Sequence, residues 1–274
     1  GAEVRFIYGN TNVFHGFVFQ KSRNKDQHIE VTCYDQLVYL KKNKYTYLYP
    51  GIRADELVKR IAEDFTLKLG NVSNTGFTIQ NFSKENQTLF DIILDALDET
   101  VLNTGRLYCL YDDFGALTLK NIKELETDFL INKETAEDFD YTSSIDNETY
   151  NRILLKHKSK EEGKSEPITV SDYKNIDQWG VLQYYEEEEY SSIAAAKAKA
   201  EALLKTHNKV FRTLSIKGCL GDIRIRGGSG VYLDLHLGDM KAKQRMLVEK
   251  ATHTFELDHH SMELELQGCD EFYG

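Results

Sequence analysis

Proline is nearly missing from this 274-residue chain, which has only Pro50 and Pro167, so no Pro-rich linker divides it. No run approaches the ~20 apolar residues that a membrane-spanning helix needs, and no secretory signal is visible; no membrane anchor is expected. Cysteine is sparse and scattered, at Cys33, Cys109, Cys219 and Cys269, with no C-x-x-C pair. A zinc site needs clustered ligands, and a disulfide scaffold needs more cysteine in a shorter chain. The four therefore read as buried or incidental thiols in a reducing compartment. Basic residues are outnumbered by acidic ones, 34 against 44, for a formal charge of −10. That balance argues against specific nucleic-acid binding, which needs clustered Lys and Arg to neutralise phosphate. It remains compatible with DNA that must pass without sticking. The opening Gly1-Ala2-Glu3 runs straight into strand-like Val4–Tyr8 without a starting Met, and the expectation is a trimmed fragment lacking its first strands.

What is present describes a globular protein: 41% hydrophobic and 28% charged residues, with 16 Tyr and 14 Phe. Aromatics favour strands and interfaces, and the length allows roughly two or three compact units. Residues 3–35 read as three strands, Val4–Tyr8, Val13–Gln20 and His28–Tyr34, joined by Gly/Asn and charged-polar turns. A short helical turn capped by Asp35 follows. Tyr45–Tyr49 reads as a strand ending in a Pro50-Gly51 turn. Two amphipathic helices are expected next. Ala54–Leu67 places Leu57, Val58, Ile61, Ala62 and Phe65 on one face, and Thr88–Leu102 carries Leu89, Phe90, Ile92, Ile93, Ala96, Leu97 and Val101, ended by Thr104-Gly105. A hairpin of Arg106–Tyr111 and Leu117–Ile122 completes a small α/β unit. Acidic Glu124–Glu148 reads as connector.

From about Tyr150 the chain is strand-rich: Ile153–Leu155, Val181–Tyr185, Phe211–Ile216, Val231–Leu237, Met246–Val248 and Met262–Leu266. One helix, Ser191–His207, is set among them, with Ser191 or Ser192 as N-cap and Glu186–Glu189 before its positive end. Its packed side is expected to hold Ile193, Ala196, Ala200, Leu203 and Leu204. The segment reads as a closed or sandwiched antiparallel sheet carrying one helix.

No motif for chemistry survives its context. Asp113-Phe114-Gly115 matches the metal-binding triplet of kinases but lacks the Gly-rich loop, the strand lysine and the H-R-D loop, and reads as a hairpin turn. Gly163-Lys164-Ser165 matches the tail of a phosphate-binding loop, whose first Gly is replaced by Lys158. Arg226-Gly227-Gly228-Ser229-Gly230 precedes a strand rather than the helix of a dinucleotide loop, so a loop or bulge is expected. Asp258-His259-His260 and His253 are possible metal ligands, yet adjacent strand residues point to opposite faces, and a solvated hairpin tip is the expectation. No G-x-S-x-G elbow occurs, and Asp–Glu pairs are expected by chance among 44 acids. The sequons at Asn71, Asn81, Asn86 and Asn147 carry no meaning without a secretion signal. No catalytic, cofactor-binding or metal-ligating residue is assigned, and no cofactor.

Longer phrases are more specific. Cys33-Tyr34-Asp35-Gln36-Leu37, Asp112–Ile122, Asp140–Asp146, Trp179–Tyr184, Gly221–Ser229 and Met246–Phe255 occur together and in order. In them the chain resembles the XkdQ/YqbQ-like proteins of PBSX-type defective prophages, relatives of the contractile-tail baseplate hub and late control D proteins. The likeness runs from near residue 2 to about 268.

The resemblance implies an α+β fold of two antiparallel, tail-tube-like β-barrels flanking a small α/β domain. Residues 1–44 would be the remainder of an incomplete first barrel. Residues 45–148 would be the α/β domain with its acidic connector, and residues 149–274 the second barrel with its flanking helix 191–207. It implies a non-enzymatic structural hub subunit in the virion tail baseplate, assembled in the bacterial host cytoplasm. Three copies would form a pseudo-sixfold ring, a homotrimer joining the tail tube protein to the central spike protein among other baseplate proteins. The alternative is a tail-associated cell-wall hydrolase or peptidase, a label the family has sometimes carried and for which the residues offer no support. A third reading is a carbohydrate-binding β-module, which aromatics exposed on one sheet face would favour; alternation alone leaves open which of Tyr184, Tyr185 and Tyr232 face out.

Overall fold

The structure, a computed structural model, describes residues 1–146, 148–157, 167–188, 190, 192–235 and 243–268. The chain divides into two compact units. The first holds Gly1–Asp128 and Asp222–Gly230; the second holds Phe129–Gly221 and resumes at Val231.

The first unit opens with β1 (Glu3–Tyr8), β2 (Thr11–Arg23) and β3 (Ile29–Tyr34), an antiparallel sheet in that order, as the sequence predicts. Phe17 is the register residue, facing Glu3 on one side and Tyr34 on the other. Helix α1 (Leu37–Lys42) follows. The Asp35 carboxylate accepts the Leu37 N–H at 2.9 Å, although the capping position itself is taken by Gln36. Gln36 is buried and saturated: its amide donates to Asp112 and to the Lys68 carbonyl, and accepts the Lys68 N–H. Such pairing offsets the cost of burying an amide.

Strand β4 (Lys44–Arg53) runs through Pro50-Gly51, so the expected turn is absent. Pro50 is tolerated because β4 has a single partner, and the missing N–H can lie on the open edge. Helix α2 (Ala54–Asp64), β5 (Leu69–Val72), β6 (Thr78–Thr88) and α3 (Leu89–Thr104) come next. β4 pairs antiparallel with β6, a strand the sequence reading passed over. Both helices bury most of the face their periodicity predicts: Leu57, Val58, Ile61 and Ala62 on α2, and Leu89, Ile92, Ile93, Ala96 and Leu97 on α3. Phe90 and Val101 are half-buried, and Phe65, also half-buried, lies just past the end of α2. With Leu40, Tyr47, Leu117 and Leu119 the buried residues of both helices form one core, each large aliphatic contributing about 1.5–3 kcal/mol of transfer free energy. Thr88 caps α3 by accepting the Asp91 N–H, and Gly105 ends it with φ 66°. Helix α2 ends the same way on a less suited residue. The Leu67 N–H reaches the Ala62 carbonyl at 2.8 Å and the Thr66 N–H that of Glu63 at 3.2 Å, with Thr66 left-handed at φ 54°. This is a Schellman closure.

Strands β7 (Tyr108–Asp112) and β8 (Leu117–Asn121) form the expected hairpin, with β5 added parallel to β8. Asp113-Phe114-Gly115 is a turn: Phe114 and Gly115 both have positive φ and Asp113 exchanges both backbone bonds with Ala116, the pattern of a type I′ turn.

The acidic stretch expected as connector instead holds a 3-10 turn (Ile122–Leu125) and two strands, β9 (Glu126–Ile131) and β10 (Asp138–Ser144). Beyond them lie β11 (Arg152–His157), β12 (Ile168–Ser171), α4 (Tyr173–Trp179), β13 (Gln183–Glu188) and α5 (Ile193–His207). The last strands are β14 (Phe211–Leu220), β15 (Gly230–Asp234), β16 (Lys243–Glu256) and β17 (His259–Gly268). They form two sheets rather than one: six strands in the order β10-β14-β17-β16-β15-β9, and three in the order β12-β11-β13. The smaller sheet is mixed, because β13 runs parallel to β11. Helix α5 lies on β11 and β12 and buries Ala196, Ala200 and Leu203. Ile193, expected on that side, is 75% exposed, and Leu204 is only half-buried. Ser192 is the N-cap, accepting the Ala195 N–H.

No sheet among the described residues closes on itself; every strand order has two ends. The expected barrels are therefore open sheets in this chain. Alternation along β17 shows why one face of the six-stranded sheet needs no cover: Met262, Leu264 and Leu266 are buried while Glu263 and Glu265 are exposed. Cross-strand pairs Lys250–Glu265 and Lys217–Asp140 lie on that polar face.

Candidate assembly surface

The sequence offered a few chemical candidates, and the structure places most of them. The Gly-rich segment is a loop leading into β15, as expected. Gly228 has φ 88°, and a Cβ there would meet Cys109 Sγ at 2.6 Å, so close approach as well as conformation requires glycine. Arg226 stacks over Tyr111 at 4.4 Å and donates to the Asp112 carbonyl. The loop therefore docks on β7 rather than cradling an anion. Cys109 contacts the Gly227 carbonyl, and burial pushes its thiol up to about 11. Cys219 is fully buried and likewise pushed up to about 11 by burial. Neither is poised as a nucleophile.

His259 and His260 point to opposite faces as predicted, but the tip is not uniformly solvated. His260 is buried at 8% exposure, stacks on Phe255 at 4.1 Å and shares a 2.9 Å hydrogen bond with His253. Cross-strand register explains the grouping, since Phe255 faces His260 and His253 faces Met262. Among the described residues no cluster of three or more His, Cys, Asp or Glu side chains could hold a metal. Gly163-Lys164-Ser165, Asn147, Ser191, Glu189, His236, Leu237 and Cys269 lie outside the described residues.

Asp55 is the most perturbed carboxylate, and it was not singled out in the sequence. It is fully buried, and burial alone would raise its pKa. Arg53, the Thr75 N–H and hydroxyl, and Lys59 outweigh that and hold it well below the usual carboxylate range. Four partners converge on it, which fixes the Thr75 loop to the start of α2. This is a structural role.

Of the three tyrosines whose exposure would favour a sugar-binding face, Tyr184 is half-buried and donates to Glu186, while Tyr185 on β13 and Tyr232 on β15 are exposed but belong to different sheets. Tyr47 is buried and bonded to Asp64 at 2.8 Å, and its ring stacks on Tyr49 at 6.1 Å.

What the chain leaves open is sheet surface. Within residues 1–35 only Gly16 is buried, while Ile7, Phe19, Ile29, Val31 and Tyr34 are exposed. Phe19 and Tyr34 make an edge contact at 5.3 Å. Glu3, His15 and Arg5 form a polar cluster on this sheet, with the His15 and Arg5 hydrogen bonds holding the Glu3 carboxyl below its ordinary value. Among the described residues the outer strands β1 and β3 each pair with one strand only, as do β9 and β10 in the larger sheet. Monomers usually blunt such edges.

The sheet-rich α+β fold is one that solved phage tail proteins share. The 43 kDa tail protein of prophage MuSo2 from Shewanella oneidensis shares it at TM-score 0.65 and 12% identity, over 98% of this chain and 84% of that one. The family is shown at the sequence level. Residues 1–267 match the YQBQ-like family model, and the chain belongs to that family. It is 32% identical over 273 residues to YqbQ of Bacillus subtilis (strain 168), and 30% identical over 275 residues to the phage-like element PBSX protein XkdQ of the same strain. In both cases the match covers 97% of this chain and 81% of the relative.

Proposed function

We propose that this chain is a structural, non-enzymatic subunit of a contractile-tail baseplate hub, joining the tail tube to the central spike as a trimeric, pseudo-sixfold ring. The observation that carries the reading is the pair of open sheets. The N-terminal sheet has exposed apolar residues, and among the described residues the end strands of both sheets each pair with one strand only, β10 with β14 and β9 with β15 in the larger sheet. Three copies, each giving two such sheets, would make six similar walls around one axis and cover the edges a monomer exposes. In this reading the two tube-like barrels are walls completed by neighbours. The contacts of such a ring are heterologous and close on themselves, and obligate interfaces are large and apolar at their centre. Family membership and the tail-protein fold support the placement in a virion tail. No helix among the described residues is long and apolar enough to cross a membrane.

Multi-angle light scattering on the purified chain, alone and with its tail tube partner, tests the proposal. A threefold mass in either sample is expected. A monomer in both, together with clearing on a peptidoglycan zymogram, would replace the hub with the hydrolase.

A further inference from the structure

The β16–β17 hairpin turns on two residues, Leu257 and Asp258, between the paired Glu256 and His259. Leu257 is the first central residue and is left-handed, at φ 53°. Two-residue turns with positive φ at that position favour glycine, asparagine or aspartate there, because a Cβ is crowded in this conformation and a bulky apolar side chain more so. Leu257 is also 102% exposed, so no burial inside this chain offsets its strained backbone. Phe114 offers the contrast: it too is left-handed in a hairpin turn, but its ring packs 5.6 Å from that of His15. A second exposed aliphatic lies at the same end of the sheet. Leu220, the last residue of β14, faces Ser261 and is 62% exposed, and the next residue, Gly221, donates to the His260 carbonyl.

We propose that this tip is a docking knob: Leu257 enters an apolar socket on another tail protein, with Leu220 against its wall. The charges around the knob select the partner. Glu256 and Asp258 flank Leu257, and no Lys or Arg lies between residues 256 and 259. The socket rim is therefore basic. A lipid surface is disfavoured, since interfacial anchors place Lys and Arg beside their apolar residues to meet phosphate. Strain kept at an exposed apolar residue is the kind of local cost that marks a functional contact.

The inference rests on the tail reading, and the test separates the two. A host carrying the parent prophage, deleted for this chain, is complemented with wild type, Leu257→Gly or Asp258→Lys, and tail particles are purified and blotted. Wild type is expected in particles. Leu257→Gly is expected to raise the melting midpoint of the isolated chain while cutting incorporation at least tenfold, and Asp258→Lys to cut it severalfold. Wild type missing from particles overturns both the tail reading and the knob. Wild type present, with Leu257→Gly incorporated equally well, overturns the knob alone. A change in native mass of the isolated chain on Leu257→Gly would make the occupant a second copy and overturn the assignment to another protein.

Discussion

Replacing Thr66 with glycine should stabilise the protein. Thr66 occupies the left-handed position of the Schellman closure of α2, with φ 54°. The closure itself is intact, since both backbone bonds are made, at 2.8 and 3.2 Å. The cost is thus in the side chain. A Cβ in this region costs about 1–2 kcal/mol, and a β-branched residue lies at the unfavourable end. Glycine removes that cost but gives the unfolded chain more freedom, worth about 0.5–1 kcal/mol against it. Thr66 is exposed, so little packing is lost. The net gain should be about 0.5–1 kcal/mol, or roughly 2–3 °C in melting midpoint for a unit of this size. Thermal melts by circular dichroism would read it, with Thr66→Ala as control. Alanine keeps the Cβ and should recover less than half the gain. Thr66→Gly melting at or below wild type would refute the reasoning, as would alanine matching glycine.

Three further outcomes follow from the packing. Leu203→Asp buries an unpaired carboxylate against β11 and β12 and should cost about 3–5 kcal/mol, whereas exposed Ile193→Asp should change stability by under about 0.5 kcal/mol; equal losses in urea titrations would show that α5 sits differently. Asp55→Ala should cost about 2–4 kcal/mol, because it leaves the Thr75 N–H and hydroxyl unpaired. Since the Asp55 carboxyl is held below its unfolded value, its contribution is complete above about pH 4 and is lost as pH falls through the depressed folded value. Acid titration of stability should therefore be shallower in Asp55→Ala than in wild type. Finally, the thiols of Cys109 and Cys219, both pushed up to about 11 by burial, should resist iodoacetamide at pH 8 in the native protein and react after denaturation. Peptide mass spectrometry would reveal either one labelled early.

Where side-chain periodicity and turn chemistry agree, the fold was legible. Helices α2 and α3 carry apolar residues at helical spacing, Gly105 marks an end, and the β7–β8 turn is flanked by alternating strands. Strand β6 was hidden because Thr78–Thr88 is mostly polar and is interrupted by left-handed Asn81 and Asn86. It is a strand because β4 pairs with it, and pairing partners are not written locally. Pro50 misled for the same reason, since its tolerance depends on an edge that only the topology supplies. On α5 the period was right but the extent was not. Packing begins at Ala196, and Ile193 in the first turn stands clear of the sheet. The acidic stretch before Glu148 became two strands because charged residues can occupy the solvent side of an edge. As for the candidate site, family phrases pointed to tail assembly, while the Leu257 knob depends on a dihedral angle that no residue pattern reveals.

The segment Asp222–Gly230 belongs to the first unit, although the sequence on either side of it belongs to the second. Its Arg226 covers Tyr111 and its Gly227-Gly228 covers Cys109. On the ribosome, the first unit therefore emerges with its β7 face bare and waits for nearly a hundred further residues before that face is sealed. Completion is deferred until β14 has already been made. Synthesis order thus ties the maturation of the first half to that of the second, so a chain terminated before Asp222 lacks the segment that completes its first unit.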